Sequence, residues 1–241
     1  MPSDWAFCVI AVFPIVSAAG FGVAHAMLAA VSGERTGDAL ARHALWIHLL
    51  LLTIPLGAAW HDGLLRAGPA DLGMRLPAVG EFGPALSSAI AVSAAAAAGV
   101  VLYCGELLVA IAAHRQHGVL ATTPDAAPDN AGPAPVGDGT GFASYMTAAA
   151  AIACAEEYVW RGYLTLYFSD RVGLPVVWAL AAASGMFGLH HAALGLRSCL
   201  AKTVQGFAWG LMLTTTGSLL PPVVSHTAFQ FMVRRHTSRS P

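Results

Sequence analysis

Charge is what this sequence has least of. Only 10% of its 241 residues are Asp, Glu, Lys or Arg, against 56% hydrophobic residues and a mean hydropathy of +0.64. A soluble surface normally needs about a quarter charged residues, so the composition points to a polytopic membrane protein whose solvent is mostly lipid. A basic surface is also missing: the formal net charge is -1. The one basic cluster, Arg234, Arg235 and Arg239, fits a membrane-flanking anchor, and nothing calls for a nucleic-acid partner. Cys8, Cys104, Cys154 and Cys199 are scattered singly, with neither metal-ligand spacing nor a disulfide framework, and read as small buried hydrophobes. Cys154 stands two residues from Glu156, so the two do not share a helix face and Cys154 is no nucleophile. Ten-residue alternating strands are absent too, which favours helices over a barrel. Met1 to Asp4 lack the positive region of a secretory signal, so the apolar stretch after them reads as a retained first helix.

Apolar runs are what the chain does have. Those long enough to span about 30 Å of hydrocarbon cover roughly Trp5 to Val31, His43 to Trp60, Pro84 to Ala113 and Phe142 to Phe168. Shorter ones follow at Leu174 to Leu194, Leu200 to Gly217 and Leu219 to Val233. The expected fold is an all-α transmembrane bundle of about seven helices. Between them, Pro124-Asp125-Ala126-Ala127-Pro128-Asp129-Asn130 marks a segment too polar to order itself. Three regions follow: residues 1–113 as a three-helix membrane region, 114–141 as a flexible linker, and 142–241 as a four-helix core. Alternating helices put Arg66, Arg75 and Arg171 on one side. Arg35, Arg42, Arg115, Arg197, Lys202, Arg234, Arg235 and Arg239 fall on the other, which places the C-terminus in the cytoplasm of a multi-pass cell-membrane protein.

Against that background Glu156-Glu157-Tyr158-Val159-Trp160-Arg161 stands out. A charge at the centre of a membrane helix costs about 2.5 to 3.5 kcal/mol, so three cost roughly 8 to 10 kcal/mol unless they are offset. Glu157 and Arg161 form an i, i+4 pair with the acid on the favourable N-terminal side, while Glu156 points about 100 degrees away. A structural ion pair explains Glu157 and Arg161 but does not need Glu156. Further along come His190, His191 and His226, all in apolar surroundings. A desolvated glutamate beside imidazoles is a usable general base near neutral pH, and His or amide donors suit a developing oxyanion. Such a set hydrolyses a peptide bond without a Ser or Cys nucleophile.

Other candidates are weaker. Glu106, near the end of a long run, is expected at the interface. His43, His48, Trp60 and His61 bracket the second run and read as interfacial anchors, and isolated His25 as structural. The Ala94 to Ala98 stretch, between Ser93 and Gly99, predicts close helix packing. His and Glu side chains suit zinc, but His-Glu-x-x-His is absent and no two candidate ligands share an i, i+4 face. The expectation is no cofactor, with zinc as the alternative.

The arrangement Glu156-Glu157-x-x-x-Arg161-Gly162-Tyr163-Leu164, then Phe187-x-x-x-His191, then His226-x-x-x-Gln230 resembles the type II CAAX prenyl protease family of intramembrane proteases. Gln205-Gly206-Phe207, Thr216-Gly217-Ser218-Leu219 and Pro221-Pro222 extend the likeness over about 90 residues, and Asp71-Leu72-Gly73-Met74-Arg75 is similar to the loop ahead of that family's core. The resemblance implies that Glu156 activates water and His191 helps to hold it. It further implies that Glu157 and Arg161 support the site, and that His226 and Gln230 stabilise the oxyanion. His190 falls outside the Phe187-x-x-x-His191 register and is expected to be a supporting residue, with Phe187. Gln230 stands where the family has Asn or Asp; it keeps the amide donor and adds a methylene. The expected activity is cleavage of a membrane-anchored or membrane-proximal peptide substrate. The alternatives are a non-catalytic binding or immunity factor that keeps the fold, and a proton-coupled transporter, for which inverted repeats are missing.

Overall fold

A computed structural model describes the backbone of residues 4–32, 36–64, 84–120, 141–192 and 195–237. Among these residues the chain is all helical. Seven rods account for it: α1 (Asp4–Ser32), α2 (Thr36–Ala59, extended by a wider turn, Trp60–Leu64), α3 (Pro84–Leu120), α4 (starting Phe142–Glu156), α5 (Val176–His190), α6 (Leu196–Thr216) and α7 (Leu220–Thr237). Each coincides with one apolar run. The segment Asp71–Arg75 and the Pro-rich stretch Pro124–Asn130 lie outside the described residues, while α3 continues to Leu120, past the expected end at Ala113. One helix among the described residues, Ile90–Val109 within α3, is long and apolar enough alone to cross a membrane, with a mean hydropathy of 1.8. Only 17% of that window is buried in the protein, so its apolar side chains face outward, as lipid contact requires.

α4 departs from regular winding. After Glu156 it passes through a π-wound stretch, Glu157–Tyr163, a single α turn, Leu164–Leu166, and a second π stretch, Tyr167–Arg171. Local π-winding is rare and recurs at functional sites, because it breaks the 3.6-residue register and re-aims side chains. Here both adjacent glutamates end up buried, at 2% and 0% exposure.

The rods pair as α1 with α2, α3 with α7 and α5 with α6, and α4 runs against α2, α5 and α7. Lipid supplies no hydrophobic drive between helices, so close approach at small residues does much of the work. Gly99, beside the alanine run, meets the carbonyl of Ser225 on α7, and Gly188 of α5 meets Thr203 and Cys199 of α6. α6 ends at Gly217, whose φ of +62° lets its N–H return to the Leu213 carbonyl at 2.8 Å. The core is aromatic: Trp160, Trp209, Phe13 and Phe187 are among the largest fully buried side chains.

Several expectations are corrected. Cys8 and Cys104 lie exposed on helix faces rather than buried, and Cys154 and Cys199 are half-buried; all four are unpaired. Glu106 has partners the sequence did not suggest: it accepts from Gln205 Nε2 at 2.5 Å and faces Lys202 Nζ at 3.6 Å. Lys202 and Arg234, counted as flanking charges, lie over the rings of Phe229 and Tyr145 at 4.1 and 5.2 Å. The side chains of His25 and His43 lie outside the described residues, whereas Trp60 and His61 are exposed at the end of α2.

Candidate active site

The three rods around α4 each bring one imidazole to Glu156. His48 of α2 places Nε2 3.0 Å from Glu156 Oε1, within hydrogen-bond range. His190, at the end of α5, places Nε2 3.9 Å from the same oxygen. His226 of α7 places Nε2 3.6 Å from Oε2. His48 was expected at the membrane interface; it sits instead well inside α2, which begins at Thr36 rather than His43. Its side chain is 18% exposed where that of Glu156 is 2% exposed, so it forms the more open edge of the cluster.

Glu157 takes a different set of partners. Its Oε1 accepts from His226 Nδ1 at 2.9 Å and stands 3.3 Å from Arg161 Nη1, the i, i+4 contact expected from the spacing. His226 thus bridges the two carboxylates, one ring nitrogen to each, and stacks flat on Trp209 at 4.1 Å between ring centroids. The Trp209 indole N–H donates to Ser225 Oγ at 3.0 Å, which fixes the platform. Arg161 donates from Nε to the Gly206 carbonyl at 3.3 Å, and its guanidinium lies 4.1 Å from the centre of the Phe187 ring. Phe187 also packs edge-on against His191 and His226, so it is a wall shared by the cation and both imidazoles. Glycine at 206 leaves room for this packing: an added Cβ would stand 2.7 Å from Arg161 Nη2 and 3.1 Å from the Phe187 ring.

The hydrogen bonding is incomplete. Glu157 Oε2, Arg161 Nη1 and Nη2, and His190 Nδ1 are buried without a directed hydrogen-bond partner. Buried polar atoms are ordinarily satisfied, and a polar cluster left under-bonded is unsuited to a purely stabilising role.

The adjacent imidazoles have separate surroundings. His191 caps α5: its backbone N–H reaches the Gly188 carbonyl at 2.9 Å and its Nδ1 donates to the Phe187 carbonyl at 3.0 Å. That bond satisfies a helix-end carbonyl and leaves Nε2 as the acceptor nitrogen. His191 is not among the imidazoles within 4.0 Å of a Glu156 oxygen, whereas His190, expected to be a supporting residue, is. Gln230 is half-buried one turn beyond His226, its backbone carbonyl accepting from the Tyr145 hydroxyl at 3.4 Å, and its side-chain amide bonds none of the site groups. His48, Glu156 and His190 offer three donor atoms within 4.8 Å of one another, a set chemically able to hold a divalent ion.

Residues 139–232 match the family model described as type II CAAX prenyl endopeptidase Rce1-like. That part of the chain is similar to the Rce1-like endopeptidases. No curated protein and no solved structure matches the chain. The matched span includes Glu156, Glu157, Arg161, Phe187, His190, His191, His226 and Gln230, and its description implies protease chemistry. His48 falls outside it. No motif could have found His48, but a helical signal exists: Leu52, Pro55, Ala59 and Asp62 follow it by 4, 7, 11 and 14 residues, and all are buried.

Proposed function

We propose that this chain is a multi-pass intramembrane endopeptidase that hydrolyses a peptide bond in a membrane-anchored or membrane-proximal substrate, with Glu156 as the base that activates water. One observation carries the reading: a carboxylate with 2% exposure is faced by imidazoles from three different rods, while the neighbouring carboxylate is committed to Arg161 and His226. Two buried carboxylates and one guanidinium leave a net negative charge, and an unbalanced buried charge is strongly destabilising. The imidazoles around Glu156 are the polar groups placed to offset it.

In the proposed reaction Glu156 takes a proton from a water held with the help of His191 Nε2, and the water oxygen bonds to the scissile carbonyl carbon. Negative charge moves to the carbonyl oxygen, where His226 and the Gln230 amide are the donors on one face of α7. The proton held by Glu156 then passes to the departing nitrogen as the C–N bond breaks, giving a carboxylic acid and an amine, which become carboxylate and ammonium by proton exchange. Glu157 and Arg161 hold His226 in place. No cofactor is required by these steps. The bilayer is the medium, and the C-terminus is assigned to the cytoplasm. With Lys202 and Arg234 turned inward, six flanking basic residues still face three on the other side.

The test is cleavage of a peptide panel by purified protein in detergent, comparing wild type with Glu156→Ala, His191→Ala and Gln230→Asn, with and without a chelator. Loss in the first two, no chelator effect, and an equal or faster rate in the third are expected. Undiminished cleavage by Glu156→Ala would reject the assignment. The unbonded Gln230 amide favours a second reading, a non-catalytic binding factor, and a wild type that cleaves nothing while Gln230→Asn also fails would favour it further.

A further inference from the structure

His190 is the group the proposed reaction does not use. Its side chain is 2% exposed, its Nδ1 has no partner, and its Nε2 points at Glu156 Oε1 from 3.9 Å, beyond hydrogen-bond range. His48 Nε2 lies 3.0 Å from the same oxygen. Bonds of roughly 2.0 to 2.2 Å to a tetrahedral ion place neighbouring donor atoms about 3.3 Å apart. The two measured separations bracket that value, and all three atoms lie within 4.8 Å of one another.

We propose that His48, Glu156 and His190 form a site for a borderline-soft divalent cation, zinc above all, whose occupation switches the protease off by withdrawing Glu156. Two imidazole nitrogens and one carboxylate oxygen, with a fourth position open, suit zinc and discriminate against magnesium and calcium, which demand more oxygen ligands. Neither histidine belongs to the Glu-Glu-x-x-x-Arg, Phe-x-x-x-His, His-x-x-x-Gln pattern, and His48 comes from outside the matched domain. Inhibition follows from the surroundings. A zinc peptidase uses a carboxylate beside the metal as the base for its bound water, and the other carboxylate at hand among the described residues, Glu157, is held by Arg161 and His226. The more exposed His48 edge is the side from which an ion enters.

The inhibitory part rests on Glu156 being the base; the binding part does not, so the two are measured separately. Metal-free wild type in detergent micelles is titrated with zinc chloride and, as control, magnesium chloride, by calorimetry and by metal analysis after desalting. One zinc per chain and no magnesium are expected. His48→Gln keeps a donor toward Glu156 but is a poor zinc ligand, and should weaken binding by more than about 100-fold, since even outer-shell partners of a metal site are worth about 10- to 100-fold. His190→Asn gives the same loss independently, and circular dichroism shows whether each variant is folded. Equal zinc binding by wild type and both folded variants, or none by wild type, overturns the site. In the cleavage assay zinc should slow wild type and a chelator should restore it. Cleavage that requires zinc would overturn the inhibitory role and the metal-free reading of Glu156 together, while leaving the measured site standing.

Discussion

Replacing Arg161 by methionine tests the electrostatic reasoning most directly. Arg161 and Glu157 are 2% and 0% exposed, 3.3 Å apart, and the guanidinium also bonds the Gly206 carbonyl and lies over Phe187. Methionine keeps much of the stem's packing and removes the charge, leaving the Glu157 carboxylate its hydrogen bond with His226 but no ion-pair partner. Removing one partner of a buried pair typically costs about 3–5 kcal/mol, largely because the survivor is stranded, whereas removing both can be close to neutral. The single variant should therefore lose about 3–5 kcal/mol in reversible unfolding in mixed micelles, followed by the fluorescence of buried Trp160 and Trp209. The double variant Arg161→Met with Glu157→Gln should recover most of that loss while staying inactive, because the hold on His226 is changed. An Arg161→Met cost below about 1 kcal/mol, or a double variant as unstable as the single one, would refute the claim that these charges are buried and mutually dependent.

Glu156→Gln, which preserves shape, should lower peptide cleavage by roughly 10²- to 10⁴-fold, the usual worth of a general base, while leaving the helical circular dichroism intact. Gly206→Ala should cost about 1–3 kcal/mol on thermal unfolding, since its new methyl group drives into Arg161 and Phe187 in a packed core. A pH effect is expected at the exposed ends of α1 and α4, away from the apolar spans. There Arg171, bonding at 3.2 and 3.1 Å, and then the Tyr167 hydroxyl hold the Asp4 carboxyl below its ordinary value of 3.8. A depressed carboxylate stabilises the fold above its unfolded value and loses that contribution as the pH falls through the lower folded value. Amide exchange at the start of α1 should accelerate on acidification below about pH 4 in wild type but not in Asp4→Asn.

The helices were legible because lipid imposes long, nearly uncharged runs, and each of the seven runs became one rod. Their ends were less so: α3 continues to Leu120 and α2 starts at Thr36, because polar flanks extend a helix without adding hydropathy. The pairing of Glu157 with Arg161 could be read from spacing alone. The burial of Glu156 and Glu157 together could not, since regular winding sets them about 100 degrees apart and the π-wound stretch from Glu157 leaves no mark in composition. His48 was hidden by its neighbours. With Leu49, Leu50, Leu51 and Leu52 all apolar, the inward stripe is masked by residues that are equally apolar on the outward side; Leu50 is 69% exposed and Leu52 is not exposed at all.

The position of His48 changes what the composition break after residue 113 means. Sequence divides the chain into a plain amino-terminal half and a second half rich in candidate residues, and the family match respects that division. Packing does not. The Phe13 ring of α1 stacks on His190 at 5.0 Å, Phe7 stacks on Tyr167 at 4.3 Å, Tyr163 donates to buried Asp62 at 2.8 Å, and His48 bonds Glu156. Each contact joins one of the first two rods to α4 or α5 beside the site. Without α1 and α2, Glu156 would lose its nearest imidazole and His190 the ring that covers it, so a carboxylate with 2% exposure would open to its surroundings. The seclusion of this glutamate is therefore a property of the two halves assembled, although the residues that carry the family match all belong to one.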